Sequence, residues 1–204
     1  MILSHLVLGF VTSYIGYTPP SMLNITASKI YVENNKRVAR QFIKGVSFIV
    51  LFQVFLAIKL SELIGKYPSL IVKIQSLGTA IFLILSIVFI CKGLAVKEPS
   101  QVKSIKNGFI FGAFLSSINM FSIPFFAILH SSFIMYGWAT SGIICTTMFG
   151  LGTILGTFAV LYSYLFLTKK IGGRLLHYTK YFNLVIGIIT GVVAIYSMIK
   201  LYSY

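Results

Sequence analysis

Stretches free of Lys, Arg, Asp and Glu alternate with short polar ones along this chain. Residues 2–28, 45–58, 74–91, 107–168 and 181–199 carry none of the four. A membrane span needs about 20 mostly apolar residues, and a flanking lysine can reach back to the interface. The second stretch, bounded by Lys44 and Lys59, therefore extends to 42–62. The block 107–168 holds two helices and a hairpin, with the break at Tyr136-Gly137-Trp138, where aromatics and glycine suit an interfacial turn. The pattern predicts an all-α membrane protein with six transmembrane helices. A transmembrane β-barrel would alternate polar and apolar residues, whereas Ala80-Ile81-Phe82-Leu83-Ile84-Leu85 is apolar on every side. The first basic residue, Lys29, follows the first apolar stretch, so no cleavable signal is expected.

Composition narrows the picture. Of 204 residues, 57% are hydrophobic and 10% charged, at a mean hydropathy of +0.93. Soluble domains carry about 25% charged residues, and disorder needs low hydrophobicity, so both are excluded. Cys91 and Cys145 are the only cysteines, there is no Asp, and the three Glu are Glu33, Glu62 and Glu98. A disulfide scaffold, a multi-cysteine zinc site and paired-carboxylate chemistry all lack their parts. No enzyme activity, cofactor or metal is expected; His5, His130 and His177 are scattered, the first two near the outer interface. Glu62 reads as a partner of Lys59 or Lys66.

The net charge of +14 raises the question of nucleic acid, and position answers it. Thirteen of the seventeen basic residues fall in three loops, after spans one, three and five: around Lys36-Arg37, around Lys103 and around Arg174. The positive-inside rule makes those loops cytoplasmic and places both termini outside. The expected partners are the lipid bilayer and a small molecule, not nucleic acid; homo-oligomerisation is left open.

The polar stretch from Lys92 to Lys106 divides one integral membrane domain, 1–204, into a first half at 1–95 and a second at 104–204. Each half opens on glycine-phenylalanine: Gly9-Phe10 and Gly108-Phe109. Small, polar and proline residues follow: Thr18, Pro19, Pro20 and Asn24 in the first, Ser116, Asn119, Ser122 and Pro124 in the second. Three spans per half make the second enter from the opposite side, the layout of two inverted three-helix repeats. Two prolines in a row break a helix, and the freed carbonyls must find protein or cavity water. The helix ends so exposed suit a carboxylate or an ammonium group. The candidate substrate-binding residues are thus Thr18, Pro19, Pro20, Asn24, Ser116, Asn119 and Ser122. A plain kink accounts for the prolines equally, and helix-joining hydrogen bonds account for each serine taken singly. Gly152 and Gly156 fit close helix packing; no strand precedes them, so they are not a dinucleotide fingerprint.

With six spans, two halves and the Thr18-Pro19-Pro20 break, followed by Asn35-Lys36-Arg37 and Gly45, and with Gly108-Phe109 leading to Asn119, the chain resembles the LysE/RhtB family of amino-acid exporters. The resemblance covers nearly the whole chain in layout and two short motifs in letters. It departs from the family where Pro-Gly-Pro becomes Thr-Pro-Pro and where position 120 is methionine instead of proline. No acidic residue stands early in the second span; Gln53 is the nearest polar side chain. The resemblance implies a secondary transporter in the inner (plasma) membrane that exports amino acids or similar small zwitterions. The alternative is a non-transporting membrane scaffold or subunit that keeps the exporter fold. A polar cavity between the first and fourth spans would favour transport, and a packed interface the scaffold.

Overall fold

The structure, a computed structural model, describes residues 2–19, 21–67, 69–94, 105–119, 121–140, 142–171 and 174–202. Pro20, Lys97, Pro99 and Lys103 lie outside them, as do the side chains of Lys92, Arg174 and His177. The helices are α1 (Ile2–Tyr17), α2 (Met22–Glu33), α3 (Lys36–Lys66), α4 (Ser69–Leu94), α5 (Gly108–Ile118), α6 (Ser122–Met135), α7 (Ile143–Ile171) and α8 (Arg174–Tyr202). No strand occurs among the described residues.

Local chemistry explains the boundaries. Pro19 has no N–H to continue a helix, and α1 stops at Tyr17 with a tightened last turn, Thr18 N–H donating to Ile15 O at 3.1 Å. The second interruption carries no proline at its apex. There Asn119 leaves the helical region at φ −76°, ψ 68°, and its N–H donates to Ser116 O at 3.0 Å. α5 and α6 consequently meet at a 65° bend. Pro124 is the third residue of α6, where helix N–H groups have no partner within the helix in any case. The turn at Tyr136–Trp138 separates α6 from α7 as the sequence indicates. It needs Gly137 at φ +72°, a left-handed conformation that glycine adopts without steric cost.

The basic stretch after the first span is not a loop. Only Asn34 and Asn35 separate α2 from α3; Lys29 lies on α2, and Lys36, Arg37, Arg40 and Lys44 lie on α3. Lys and Arg are good helix formers, and Asn35 Oδ1 accepts the Arg37 N–H at 2.7 Å, which starts α3 six residues before the expected 42. Likewise the first apolar stretch, 2–28, is two helices.

The chain forms two compact units, each drawn from both halves. One comprises Met1–Leu63 with Gln101–Gly172, the other Ile64–Ser100 with Gly173–Tyr204. Glycine sets the packing in the first. A Cβ on Gly9 would overlap the carbonyl of Phe149, and one on Gly152 that of Leu6, so α1 and α7 approach backbone to backbone. α3 and α5 do the same: Gly45 lies against Phe109 O, Gly108 against Val38 O and Gly112 against Phe42 O. The pairing is crossed. Phe10 O, from the opening glycine-phenylalanine of the first half, meets Gly156 of α7, and Phe109 O, from that of the second, meets Gly45 of α3. In the second unit α4 packs on α8, with Gly93 against Leu184 and Ser86 Oγ donating to Gly187 O at 2.7 Å.

The first unit buries polar side chains among its apolar core and exposes apolar ones. Asn24, Ser13, Ser116, Thr153 and Thr157 have no exposed surface, while Leu3 is 72% and Ile143 79% exposed. Apolar patches of this extent mark a surface that water does not cover. Among the described residues, Lys36–Leu63 and Ile143–Lys170 are long and apolar enough to cross a membrane, and α5 with α6 makes a third if the bent pair is one span. The chain is an all-α membrane protein.

Gly152→Val should therefore be destabilising by about 1–3 kcal/mol through overpacking. Gly150→Ala, whose Cβ would have 3.8 Å to Phe55, should be tolerated. Denaturant unfolding of the detergent-solubilised protein checks the pair; equal stability of the two variants would refute the glycine contact.

Candidate functional site

Both helix interruptions of the first unit leave carbonyls without an i+4 donor. At the first, Tyr14 O receives the Thr18 hydroxyl at 2.6 Å. Tyr17 O and Pro19 O receive the two hydrogens of Asn24 Nδ2, at 2.6 and 3.0 Å. Thr18 O receives Tyr164 Oη–H from α7 at 2.6 Å. At the second, Gln53 Nε2 of α3 donates to Ser116 O at 2.9 Å and to Asn119 O at 3.2 Å. One buried amide thus closes each interruption, Asn24 from within the first half and Gln53 from across to α5.

A hydroxyl pair joins the two. Tyr17 Oη and Ser122 Oγ are 2.7 Å apart and buried, and Asn119 Nδ2 donates to the same Ser122 Oγ at 3.3 Å. Ring contacts reinforce the junction: Gly16 lies against the Phe125 ring, and the Tyr17 and Phe126 rings stand 6.5 Å apart. Hydrogen bonds therefore run without interruption from Asn24 through Tyr17, Ser122 and Asn119 to Gln53.

The amide orientations follow from these partners, since carbonyls accept only from the nitrogen end. That leaves Asn24 Oδ1 and Gln53 Oε1 buried with no donor. Ser21 Oγ, at the start of α2, is buried and unpartnered too. Neither Ser21 nor Phe121 caps its helix with a side chain, and α2 and α6 begin within two residues of Asn24 and at Ser122 of the network. Every side chain named here is uncharged.

Of the residues singled out from sequence, Asn24, Ser116, Asn119 and Ser122 come together in this network. Pro19 contributes its carbonyl. Thr18 contributes its carbonyl only; its side chain is exposed and bonds back to its own helix, because a threonine hydroxyl reaches the i−4 carbonyl more readily than a partner across a gap. Pro20 lies outside the described residues. Tyr17, Gln53 and Tyr164 were not among the candidates. Tyr17 adjoins the Thr-Pro-Pro break and Gln53 is the one amide in the uncharged 45–58 stretch, so both were findable; Tyr164 is one of two tyrosines flanking Ser163 in a long uncharged stretch and gives no signal of its own. Two described cavities lie elsewhere, one of about 590 Å³ bordered by Asn35, Lys36, Arg37, Arg40, Gln41 and Lys44, the other bordered by Tyr14, Phe158, Tyr162 and Phe166.

Other sequence expectations resolve here. Lys59 and Glu62 pair at 2.8 Å. His5 and His130 are buried within the protein, 2% and 1% exposed. No group of three or more candidate metal ligands occurs among the described residues. No family model, curated protein or solved structure matches the chain.

Asn24→Leu should bare Tyr17 O and Pro19 O and cost about 1–3 kcal/mol, the usual penalty for unpaired buried groups. Ile15→Leu, on the exposed side and without a polar group, should stay within about 0.5 kcal/mol of wild type. Guanidinium unfolding in detergent measures both; an equal loss in the two would mean that the Asn24 amide does not close the break.

Proposed function

We propose that this protein is a secondary transporter of the LysE/RhtB type, which exports amino acids or similar small zwitterionic solutes across the inner (plasma) membrane. The observation that carries this reading is the pair of orphaned amide oxygens, Asn24 Oδ1 and Gln53 Oε1, at two joined helix interruptions. Buried acceptors without donors are costly, and an ammonium group supplies donors. The uncapped N-termini of α2 and α6 favour a carboxylate. Lacking any charged side chain, the site suits a solute that carries both charges and no net one.

In this reading the chain crosses the membrane six times. The spans are α1 with α2, α3, α4, α5 with α6, α7 and α8. Their lengths run 28 residues in two pieces, 31 and 26, then 25 in two pieces, 29 and 29. A helix of 26 residues is about 39 Å long, enough for the hydrocarbon core. The crossed contacts Phe10 O–Gly156 and Phe109 O–Gly45 are what two inverted repeats would produce. The basic ends of the helices face the cytoplasm and both termini face outward. Alternating access then separates and rejoins the two interruptions, with the network as the closed arrangement.

The second reading, a scaffold that keeps the exporter fold, has two observations in its favour: the two breaks meet in direct buried contact at Tyr17 and Ser122, and the interruptions already satisfy most of their carbonyls from within the protein. Proteoliposomes loaded with a mixture of labelled amino acids separate the two. Wild-type protein should release at least one of them, and Asn119→Leu should abolish release. The variant loses only the 3.3 Å bond to Ser122, so it should remain folded within about 1–2 kcal/mol. No release of any amino acid by the wild type would establish the scaffold.

A further inference from the structure

A carrier driven by an ion gradient needs a place inside the membrane where that ion binds. Carboxylates are the usual device, and none is buried among the described side chains. The chain contains no Asp, and its Glu62 is engaged by Lys59 at 2.8 Å. Among the described residues, His130 of α6 is a buried titratable side chain with a vacant ring nitrogen.

His130 is 1% exposed and sits between three elements. From α3, Ser61 Oγ lies 3.3 Å from its Nδ1 and is itself 2.7 Å from Ser131 Oγ. From α7, the Phe149 ring stands edge to face with the imidazole, centroids 5.3 Å apart. From α1, His5 is within electrostatic reach, as is Glu62 from α3. His5 Nε2 accepts the backbone N–H of Thr140 at 2.9 Å, so that nitrogen is occupied. His130 Nε2 is buried with no partner at all.

We propose that His130 is the proton-binding site of the transport cycle, an inference that rests on the transporter reading given above. In the neutral tautomer that carries its hydrogen on Nδ1, that N–H donates to Ser61 Oγ and the Nε2 lone pair is vacant. A proton adds to that lone pair, and the imidazole becomes a cation with a second N–H. The closed packing offers this N–H no acceptor and the charge no counter-ion, and a buried charge requires both. Protonation therefore favours an arrangement in which water enters or Glu62 turns inward from Lys59. A proton that binds one arrangement better than the other shifts the equilibrium between them. The group lies five residues from the end of α6, and the turn that follows is tied to α1 by the Thr140 N–H, which donates to His5 Nε2 at 2.9 Å.

The test uses the full-length protein in lipid nanodiscs with ¹⁵N-labelled histidine rings, titrated from pH 8 to pH 5. His5→Gln and His130→Gln assign the signals. The His130 ring should take up a proton reversibly in this window. A cysteine at Ala127, one turn away and buried, is followed in a background with Cys91 and Cys145 replaced by Ser. Its labelling by an impermeant thiol reagent should rise about tenfold on protonation, a population shift of that size. His130→Gln should hold labelling at its pH 8 level. Should that variant fold poorly, Ser61→Ala still reports, since loss of the Nδ1 partner must move the His130 titration.

A ring that stays neutral to pH 5 in folded protein overturns the proposal. So does pH-dependent labelling that survives His130→Gln. Proton uptake at His130 without movement of any amino acid would end the transporter reading and keep the proton site. Amino-acid release that responds equally to an imposed pH gradient in wild type and His130→Gln would end the proton site and keep the transporter.

Discussion

A backbone carbonyl that loses its helical partner inside a bilayer has nothing to bond to except protein or trapped water. That constraint organises the first unit of this chain. Two helices are interrupted, and the freed groups need donors. The protein answers with a side-chain amide at each interruption and a tyrosine from α7 at the carbonyl between them. The amides fix the interruptions, the interruptions place Tyr17 and Ser122 within 2.7 Å, and that contact ties the two halves.

Close approach of backbones is the second requirement, and glycine meets it. With little hydrophobic force between helices in lipid, association depends on packing and on hydrogen bonds between them. Gly9, Gly152 and Gly156 bring α1 onto α7, and Gly45, Gly108 and Gly112 bring α5 onto α3. Hydroxyls fill the same seams: Ser13 and Thr157 are 2.6 Å apart, and Thr168 donates to Ser28 at 2.9 Å. The result is an interior in which buried hydroxyls and amides interleave with apolar side chains, with His130 and its vacant nitrogen eight residues along α6 from Ser122.

Much of this was legible in the sequence, for stated reasons. Pro19, the Gly-Phe openings, Asn24, Asn119 and the turn at Gly137 each have a local physical signature, and the structure places a helix boundary or a buried contact at each. The close packing of Gly152 and Gly156 followed from their spacing. What was not legible depends on partners distant in sequence. Tyr164 lies 146 residues from the carbonyl that it serves. Gln53 shows only that an amide is present, not which carbonyls lack donors. The basic run Lys29 to Lys44 reads as a loop by charge alone, yet it is helical because its charges sit at helix ends, where long side chains can reach water. Burial of His5 and His130 was hidden for the opposite reason: a histidine near a span end looks interfacial until the packing around it is known.

The claim on which the account depends is that the two interruptions are bound to one another through Tyr17 and Ser122. A double-mutant cycle measures this directly, with Tyr17→Phe, Ser122→Ala and the pair, each unfolded in the same detergent. Tyr17→Phe keeps the ring and its contact with Phe126, so the cycle isolates the hydroxyl. The account predicts a coupling of at least about 0.6 kcal/mol, the typical value for interhelical hydrogen bonds in membrane proteins. Additive effects with no coupling would contradict it.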